Sequence, residues 1–318
     1  IMLMRIVFAI WMFLLLVGCK PNQYDPSLPP KGFANNITLK IAYTLGAIEP
    51  TLTKVAIPET IQEYKDLVYK TIDSTSLKLD IYRPKALKKD APLIIFIHGG
   101  AWEKGKKSNV LHYLVSYAKK GYVTATIQYR LSGVTKYPAQ ILDVADAVQW
   151  LKQHAKEYNI NVNKVAIAGG SAGAHLAMQY AYANSSNTVD SNGIPTNVQA
   201  VINIYGPSDL TTEIAKKEKR VHRLFGKTYG EAPEMYKSAS PILYVNKNSP
   251  PTISFHGTLD ELVPYGQSKK LHETLKSYGV PTYYHELKGW PHAMDLSAKV
   301  FSYIQYHTDI FLEKHLKL

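Results

Sequence analysis

The chain has 318 residues, of which 46% are hydrophobic and 19% are charged, and its formal net charge is +12. This composition is typical of a globular protein with a sizeable core and excludes a disordered, collagen-like or multi-span membrane chain. The basic residues are scattered along the chain, as at 88–89 and 216–220, and form no stripe interleaved with aromatic residues. We therefore expect no nucleic acid partner.

The first segment of the chain predicts export. Arg5 precedes an unbroken apolar run over residues 6–17, which is shorter than the roughly 20 residues that cross a bilayer and fits a secretory signal. The run ends in Leu-Val-Gly-Cys19, which resembles the lipobox of bacterial lipoproteins. We predict a signal peptide at residues 1–18 and a lipid on Cys19 that holds the exported protein at a bacterial membrane. The alternative is a lone cysteine that ends an uncleaved apolar helix.

Residues 19–60 contain six prolines and show no sustained helical or strand period. This pattern predicts a tether that leads into a loosely structured arm. Beyond it, residues 61–318 are predicted to form one catalytic domain.

Apolar strand patterns alternate with helical patterns in this domain. Strands are predicted over residues 67–72, 77–82, 93–98, 123–128, 165–168, 200–205, 252–256 and 282–286, and helices over 139–156, 172–184, 267–278 and 297–317. Strands that are apolar on both faces and alternate with helices indicate an α/β fold, with a mainly parallel central sheet and helices on both faces. Residues 206–251 are predicted to form a small partial lid of one or two helices. Ligands of such sheets bind beyond the carboxyl ends of the strands.

The first candidate site residue is Ser171, in Gly169-Gly170-Ser171-Ala172-Gly173. The segment matches G-x-S-x-G and lies between a predicted strand and a predicted helix, as that motif requires. Glycines flanking the serine avoid collisions in a sharp turn, and the start of the helix offers free N–H groups. On this segment alone, an inert serine in a glycine-rich turn remains the alternative.

The second candidate is the loop His98-Gly99-Gly100-Ala101-Trp102, which follows an apolar strand. Its glycines let backbone N–H groups approach a substrate carbonyl, and one such donor commonly contributes about 3 kcal/mol to a transition state. His98 is interpreted as a structural histidine that orients the loop. Trp102 is predicted either to line a substrate pocket or to pack in the core. His175 is predicted to face either the core or the pocket wall.

The third candidate is a pair late in the chain, Asp260 and His292, each placed after its own predicted strand. A histidine that accepts the serine proton and an acid that fixes its tautomer complete a nucleophilic site. The chain order serine, acid, histidine is one of three unrelated orders found for this arrangement. Asp209 is a weaker alternative for the acid, and His256 is interpreted as a packed strand residue.

Taken together, these motifs resemble the α/β-hydrolases of the esterase and lipase type. The similarity covers about residues 60–318 and includes LDIYRP, HGGAW, GGSAGAH, GTLDELVP and GWPHAMD in the family's order. It is greatest to short-chain carboxylesterases and to feruloyl and acetyl-xylan esterases. The resemblance implies a nucleophile, an acid and a base at Ser171, Asp260 and His292. It further implies oxyanion donors at Gly99, Gly100 and Ala172. The site that it implies requires no metal or cofactor.

The resemblance leads us to expect a carboxylic-ester hydrolase that acts through an acyl-enzyme on short-chain or aryl acyl esters. Acetyl or feruloyl groups of polysaccharides are the expected substrates. One alternative is an amidohydrolase of the arylformamidase or peptidase type. Another is a surface lipoprotein that binds glycans without catalysis, which would predict a broken triad.

Overall fold

An eight-stranded sheet forms the centre of the described part of the chain, which is residues 24–51, 55–186 and 188–318 of the computed structural model. The strands are β1 (Ile61–Ile72), β2 (Thr75–Pro84), β3 (Ala91–Ile97), β4 (Val123–Ile127), β5 (Ile160–Gly170), β6 (Ala200–Ile204), β7 (Thr252–Gly257) and β8 (Thr282–Leu287). Their order across the sheet is β1-β2-β4-β3-β5-β6-β7-β8. The predicted signal peptide and Cys19 lie outside the described residues.

The predicted mainly parallel sheet is confirmed. The strands from β3 to β8 pair in parallel, whereas β1 and β2 form an antiparallel hairpin at one edge. Every residue of β3, β4, β6 and β7 is buried. Burial on both faces explains why β3 is a continuous apolar run in the sequence, and why β4, β6 and β7 are rich in apolar residues with a few buried Thr, Ser, Asn and His residues among them.

Helices cover both faces of the sheet. They are α1 (Asn36–Thr44), α2 (Leu111–Lys119), α3 (Ala139–Gln153), α4 (Ala155–Tyr158), α5 (Ala172–Ala183), α6 (Glu213–Lys217), α7 (Lys219–Phe225), α8 (Pro233–Ser238), α9 (Gly266–Ser277) and α10 (Ala298–His315). Residues of α3, α5 and α9 pack in one core cluster, and residues of α2 and α10 pack in a second. The two clusters are the cores on the two sides of the sheet.

Two helices were not predicted, and the reasons differ. Helix α1 lies within the arm predicted to be loosely structured, and it begins with a capping box between Asn35 and Thr38. It has no buried residue, although Ile37 and Ile41 recur at helical spacing, and the prolines on either side of it led to the prediction of a loose arm. Helix α2 has five buried residues in nine, so its apolar face is present in the sequence and the prediction overlooked it.

The segment between β6 and β7 contains α6, α7 and α8, which is three short helices instead of the one or two predicted. The predicted helix over residues 139–156 is divided at His154 into α3 and α4. None of the helices in the described residues is long and apolar enough to span a membrane.

Candidate active site

Ser171 lies in a sharp turn between β5 and α5. Its backbone has φ 55° and ψ −123°, a strained conformation for a residue with a side chain. The turn is held by a 2.9 Å hydrogen bond from the Ser171 N–H to the carbonyl of Ile204 in β6. A Cβ on Gly173 would overlap the carbonyl oxygen of Ile97 in β3, so only glycine lets α5 start this close to the sheet.

The structure brings together the three residues of the predicted triad. His292 Nε2 lies 3.0 Å from Ser171 Oγ, and His292 Nδ1 lies 2.6 Å from Asp260 Oδ2. The three residues follow β5, β7 and β8, so their side chains meet at the carboxyl edge of the sheet. An N–H at Nδ1 faces the carboxylate, which leaves Nε2 free to accept the serine proton.

Asp260 is 7% exposed and accepts four hydrogen bonds. The backbone N–H groups of Leu262 and Val263 each donate to Oδ1 at 2.9 Å. His292 and His256 donate to Oδ2 at 2.6 and 3.1 Å. Burial by itself would raise the pKa of Asp260, but the hydrogen bonds from the two histidines outweigh it and lower the pKa to about 2.

His256 has a larger role than the packed residue predicted from the sequence. It is fully buried, and its Nε2 also contacts the carbonyl of Val263 at 2.8 Å. Because a carbonyl only accepts, Nε2 carries the proton, and Nδ1 accepts from the Ser268 hydroxyl at 2.7 Å. His256 therefore helps to hold the same carboxylate oxygen, Asp260 Oδ2, that contacts His292. The signal available in the sequence for this role was the position of His256 at the end of β7, four residues before Asp260.

The alternative acid, Asp209, is engaged elsewhere. Its carboxylate accepts hydrogen bonds from the Thr211 hydroxyl and backbone and from the Lys270 ammonium at 3.0 Å. Asp260 is the carboxylate that contacts His292.

The predicted oxyanion donors border the same cavity as Ser171. The N–H groups of Gly99 and Gly100 donate to no backbone acceptor in the described part of the chain. Ala172 is the first residue of α5, so its N–H has no acceptor within the helix. His98 Nδ1 hydrogen bonds the Gly99 carbonyl at 2.8 Å and the ring stacks on Tyr129, which fits its interpretation as a loop-orienting residue.

The cavity has a volume of about 610 Å³. Its reacting face is formed by Ser171 and His292, and apolar side chains from the segment between β6 and β7 form one wall. These apolar residues are Leu210, Ile214, Ala215 and Val221. Polar and charged side chains also border it, among them Lys104, Asn109, Glu218, Arg220 and Asp295.

Trp102 and His175, both predicted near the pocket, have different positions. Trp102 borders the cavity and also packs in the core. His175 is fully buried behind it, accepts the Trp102 indole N–H at 3.1 Å and hydrogen bonds the Ala239 carbonyl at 2.7 Å. Burial lowers the pKa of His175 to about 4, so the ring is neutral and can accept this bond. The prediction that His175 forms part of the pocket wall is therefore corrected: it supports Trp102.

Sequence reasoning missed Tyr205 and Asp295. Tyr205 follows β6, and its ring centroid lies 4.7 Å from that of His292. The Asp295 carboxylate accepts hydrogen bonds from the hydroxyls of Tyr205 and Tyr113, the latter at 3.0 Å. Burial, followed by the nearby Asp295 charge, raises the pKa of Tyr205 well above its usual value, so the phenol remains a donor. Asp295 is the last residue of the motif GWPHAMD, so the available signal was its place three residues after His292, to which the sequence analysis gave no role.

The sheet order and the position of the nucleophile turn after a central parallel strand define an α/β-hydrolase. The chain belongs to the BD-FAE family, whose model matches residues 79–275. The match includes Ser171 and Asp260, whereas His292 lies beyond it.

Two similar curated proteins are named as esterases. The chain is 34% identical over 234 residues to the esterase LipQ and 32% identical over 235 residues to the esterase LipC, both of Mycobacterium tuberculosis. Each alignment covers 70% of this chain, and the two alignments cover 56% of the length of LipQ and 58% of the length of LipC. The chain thus spans somewhat more than half the length of these curated relatives.

Solved structures agree with the fold. A propionate-bound esterase of Thermogutta terrifontis is 26% identical with a TM-score of 0.69, covering 81% of this chain and 96% of that one. A truncated carbohydrate esterase from gut microbiota is 27% identical with a TM-score of 0.68, and the match covers 80% of this chain and 96% of that one. A bifunctional GH43-CE protein of Bacteroides eggerthii is 26% identical with a TM-score of 0.69, and the match covers 79% of this chain and 38% of that one.

Proposed function

We propose that this protein is a serine carboxylic-ester hydrolase that acts through an acyl-enzyme. The observation that carries the proposal is the continuous contact from Ser171 Oγ to His292 Nε2 at 3.0 Å and from His292 Nδ1 to Asp260 at 2.6 Å, beside a cavity of about 610 Å³. Esterase relatives and carbohydrate esterase neighbours support it.

In the acylation step, Ser171 Oγ attacks the ester carbonyl carbon while its proton moves to His292 Nε2. The ionised Asp260 stabilises the imidazolium and keeps Nδ1 protonated. The carbonyl electron pair moves onto oxygen and then returns as the bond to the alcohol breaks. The alcohol leaves with the proton from Nε2, and the acyl group remains on Ser171.

The negative charge that develops on oxygen requires donors already in place. Gly99, Gly100 and Ala172 border the cavity beside Ser171, and their N–H groups are the donors we propose. Fixed donors of this kind act without reorganisation at the moment of reaction, and losing one commonly costs about 3 kcal/mol.

Deacylation repeats these steps with water as the nucleophile. His292 Nε2 accepts a proton from water as it attacks the acyl carbonyl, and returns that proton to Ser171 Oγ as the acyl bond breaks. The products are the carboxylic acid and the free enzyme.

We propose acetyl or feruloyl esters of polysaccharides as substrates. The cavity of about 610 Å³ is in the range of sites for compact ligands. It suits acyl chains of about two to eight carbons or one aryl acyl group, and its apolar wall from the segment between β6 and β7 suits the acyl part. The carbohydrate esterase neighbours favour a sugar on the alcohol side.

The proposal is tested with a panel of short p-nitrophenyl esters, acetylated xylan, methyl ferulate and N-formylkynurenine. We expect turnover of the esters and loss of about 10⁴-fold or more in kcat for Ser171→Ala. Retained turnover in that variant would contradict the mechanism. Preferred cleavage of N-formylkynurenine would favour the arylformamidase alternative, and equal hydrolysis of long triglycerides would contradict the proposed substrate size.

We also propose that the protein is exported and held at a bacterial membrane through a lipid on Cys19. The proposal rests on the sequence, where an apolar run of signal-peptide length ends at Cys19. Each buried methylene of an acyl chain adds about 0.8 kcal/mol of membrane affinity, so several chains on one cysteine give a stable anchor.

A further inference from the structure

The segment that precedes the catalytic domain contacts the loop that contains the catalytic histidine. We refer to residues 24–51 as the N-terminal arm and to residues 288–297 as the histidine loop. Before His292, the Phe33 N–H donates to the Gly289 carbonyl at 2.9 Å and the Trp290 indole donates to the Pro30 carbonyl at 2.9 Å. The Phe33 and Trp290 rings meet edge to face at 5.5 Å.

A second set of contacts lies after His292. Thr51 donates its hydroxyl to the Asp295 carbonyl at 2.7 Å and its N–H to the Leu296 carbonyl at 2.6 Å. The Ala298 N–H donates to the Glu49 carbonyl at 2.9 Å. Thr51 is 9% exposed, so its hydrogen bonds are shielded from water. The arm therefore holds the histidine loop on both sides of the catalytic base.

The second set of contacts leads to the His292 ring itself. The backbone of Asp295 is held by Thr51, and its carboxylate accepts from Tyr205, whose ring lies against His292. A shift of Asp295 would move Tyr205 and remove the surface that limits rotation of the imidazole. Thr51 thus acts on His292 through two intervening residues and touches no reacting atom.

The histidine loop also has a backbone that needs external support. Gly289 has φ 79° and Ala293, which directly follows His292, has φ 57°. A left-handed conformation in a residue other than glycine is costly and persists only when the surroundings impose it. Without the arm, the loop would have fewer contacts that keep Ala293 in this conformation.

We propose that Thr51, in the N-terminal arm, is a positioning residue that fixes the histidine loop and so keeps His292 within reach of Ser171. The inference rests on the proposed function, because it concerns the base of that reaction. The arm and His292 both lie outside residues 79–275, the range that the family model matches.

The test compares Thr51→Val, which removes the hydroxyl donor at similar volume, with Thr51→Ser, which keeps it. The matched control is Thr44→Val, because the exposed Thr44 hydroxyl bonds the Lys40 carbonyl of its own helix and contacts no part of the histidine loop among the described residues. Three quantities are measured: kcat and KM for p-nitrophenyl acetate, the rate of Ser171 labelling by a fluorophosphonate, and hydrogen exchange of residues 288–298. We expect Thr51→Val to lower kcat and the labelling rate about 10-fold, with KM little changed and exchange faster in the histidine loop. Thr51→Ser and Thr44→Val should remain close to wild type.

A second variant tests the other set of contacts. A Cβ on Gly32 would overlap the Lys288 carbonyl oxygen, whereas a Cβ on Gly230 would meet open space. Gly32→Ala should therefore reduce labelling as Thr51→Val does, and Gly230→Ala should not.

The outcomes separate the two proposals. Wild-type labelling rates in Thr51→Val and Gly32→Ala, or an equal loss in Thr51→Ser, would overturn the positioning role. Activity loss accompanied by faster exchange throughout the domain would overturn it as well, since that marks general destabilisation. A wild-type protein that neither hydrolyses esters nor reacts with the fluorophosphonate would instead overturn the proposed function, and this inference with it.

Discussion

At the scale of single residues, the site depends on how Asp260 is kept ionised in a buried position. A carboxylate that accepts from two backbone N–H groups and two imidazoles uses about all of its lone-pair sites. None of its oxygens is then left to compete for the proton of His292. His256 contributes one of these donors while its own proton is fixed by the Val263 carbonyl. Asp260 is therefore a pure hydrogen-bond acceptor in this structure, as the proposed mechanism requires.

The pKa of Asp260 predicts how stability depends on pH. The folded-state pKa is about 2, below the value of 3.8 expected for an unfolded chain. The resulting stabilisation, about 2 kcal/mol, is complete above about pH 4 and is lost as the pH falls toward 2. We expect the difference in free energy of unfolding between wild type and Asp260→Asn to shrink by this amount between pH 5 and pH 2, measured by urea titration.

Ser171→Ala is the matched control for this measurement, because it changes the same site without removing a titrating carboxylate. Its difference from wild type should stay constant over the same pH range. A constant difference for Asp260→Asn would show that the folded state does not lower the pKa of this group.

At the scale of secondary-structure elements, the close approach of α5 to the sheet is what places Ser171 at the cavity. Helix α5 has eleven buried residues among its twelve, so it cannot shift without disturbing the core. Its first turn passes over the carbonyls of β3, where Gly173 leaves no space for a side chain. The nucleophile is thus fixed by backbone packing.

This packing gives a prediction for Gly173→Ala. The added methyl group would overlap the Ile97 carbonyl oxygen, and overpacking against backbone costs about 3 kcal/mol. Gly266→Ala is the matched control, because Gly266 begins helix α9 and has open space around it. For Gly266→Ala we expect no loss of stability, or a gain of up to about 1 kcal/mol in the free energy of unfolding. Urea unfolding measures both, and equal stabilities of the two variants would contradict the packing argument.

The elements that the sequence predicted correctly are those whose burial leaves a pattern. Strand β3 is buried on both faces and is an unbroken apolar run, and β4, β6 and β7 are short buried strands rich in apolar residues. Helix α1 exposes its apolar residues Ile37 and Ile41 and lies in a proline-rich segment, so it was not predicted. His175 was placed at the pocket because its position in the turn of α5 is compatible with either face, and only tertiary contacts with Trp102 and Ala239 decide between them.

At the scale of the whole molecule, two features bear on where the protein acts. The formal net charge is +12, which favours association with anionic surfaces over long range. The predicted lipid on Cys19 would supply the stable attachment, since electrostatic attraction weakens with salt.

The anchor is tested by expressing Cys19→Ala and the control Asn22→Ala in a bacterium that processes lipoproteins. Metabolic labelling with a fatty acid should mark wild type and Asn22→Ala but not Cys19→Ala. The Cys19→Ala protein should also leave the membrane fraction, because no acyl chain remains to hold it. Undiminished labelling of Cys19→Ala would contradict the lipoprotein assignment.

The contact between the N-terminal arm and the histidine loop has a consequence for the order of folding. Thr51 and Asp295 are 244 residues apart in sequence, and contacts of such separation form late because they close a long loop of chain. During synthesis, the strands that precede Ser171 and Asp260 are available before the segment that contains His292. We therefore expect folding intermediates that contain the turn at Ser171 but no positioned His292, and full activity only once the N-terminal arm contacts the histidine loop.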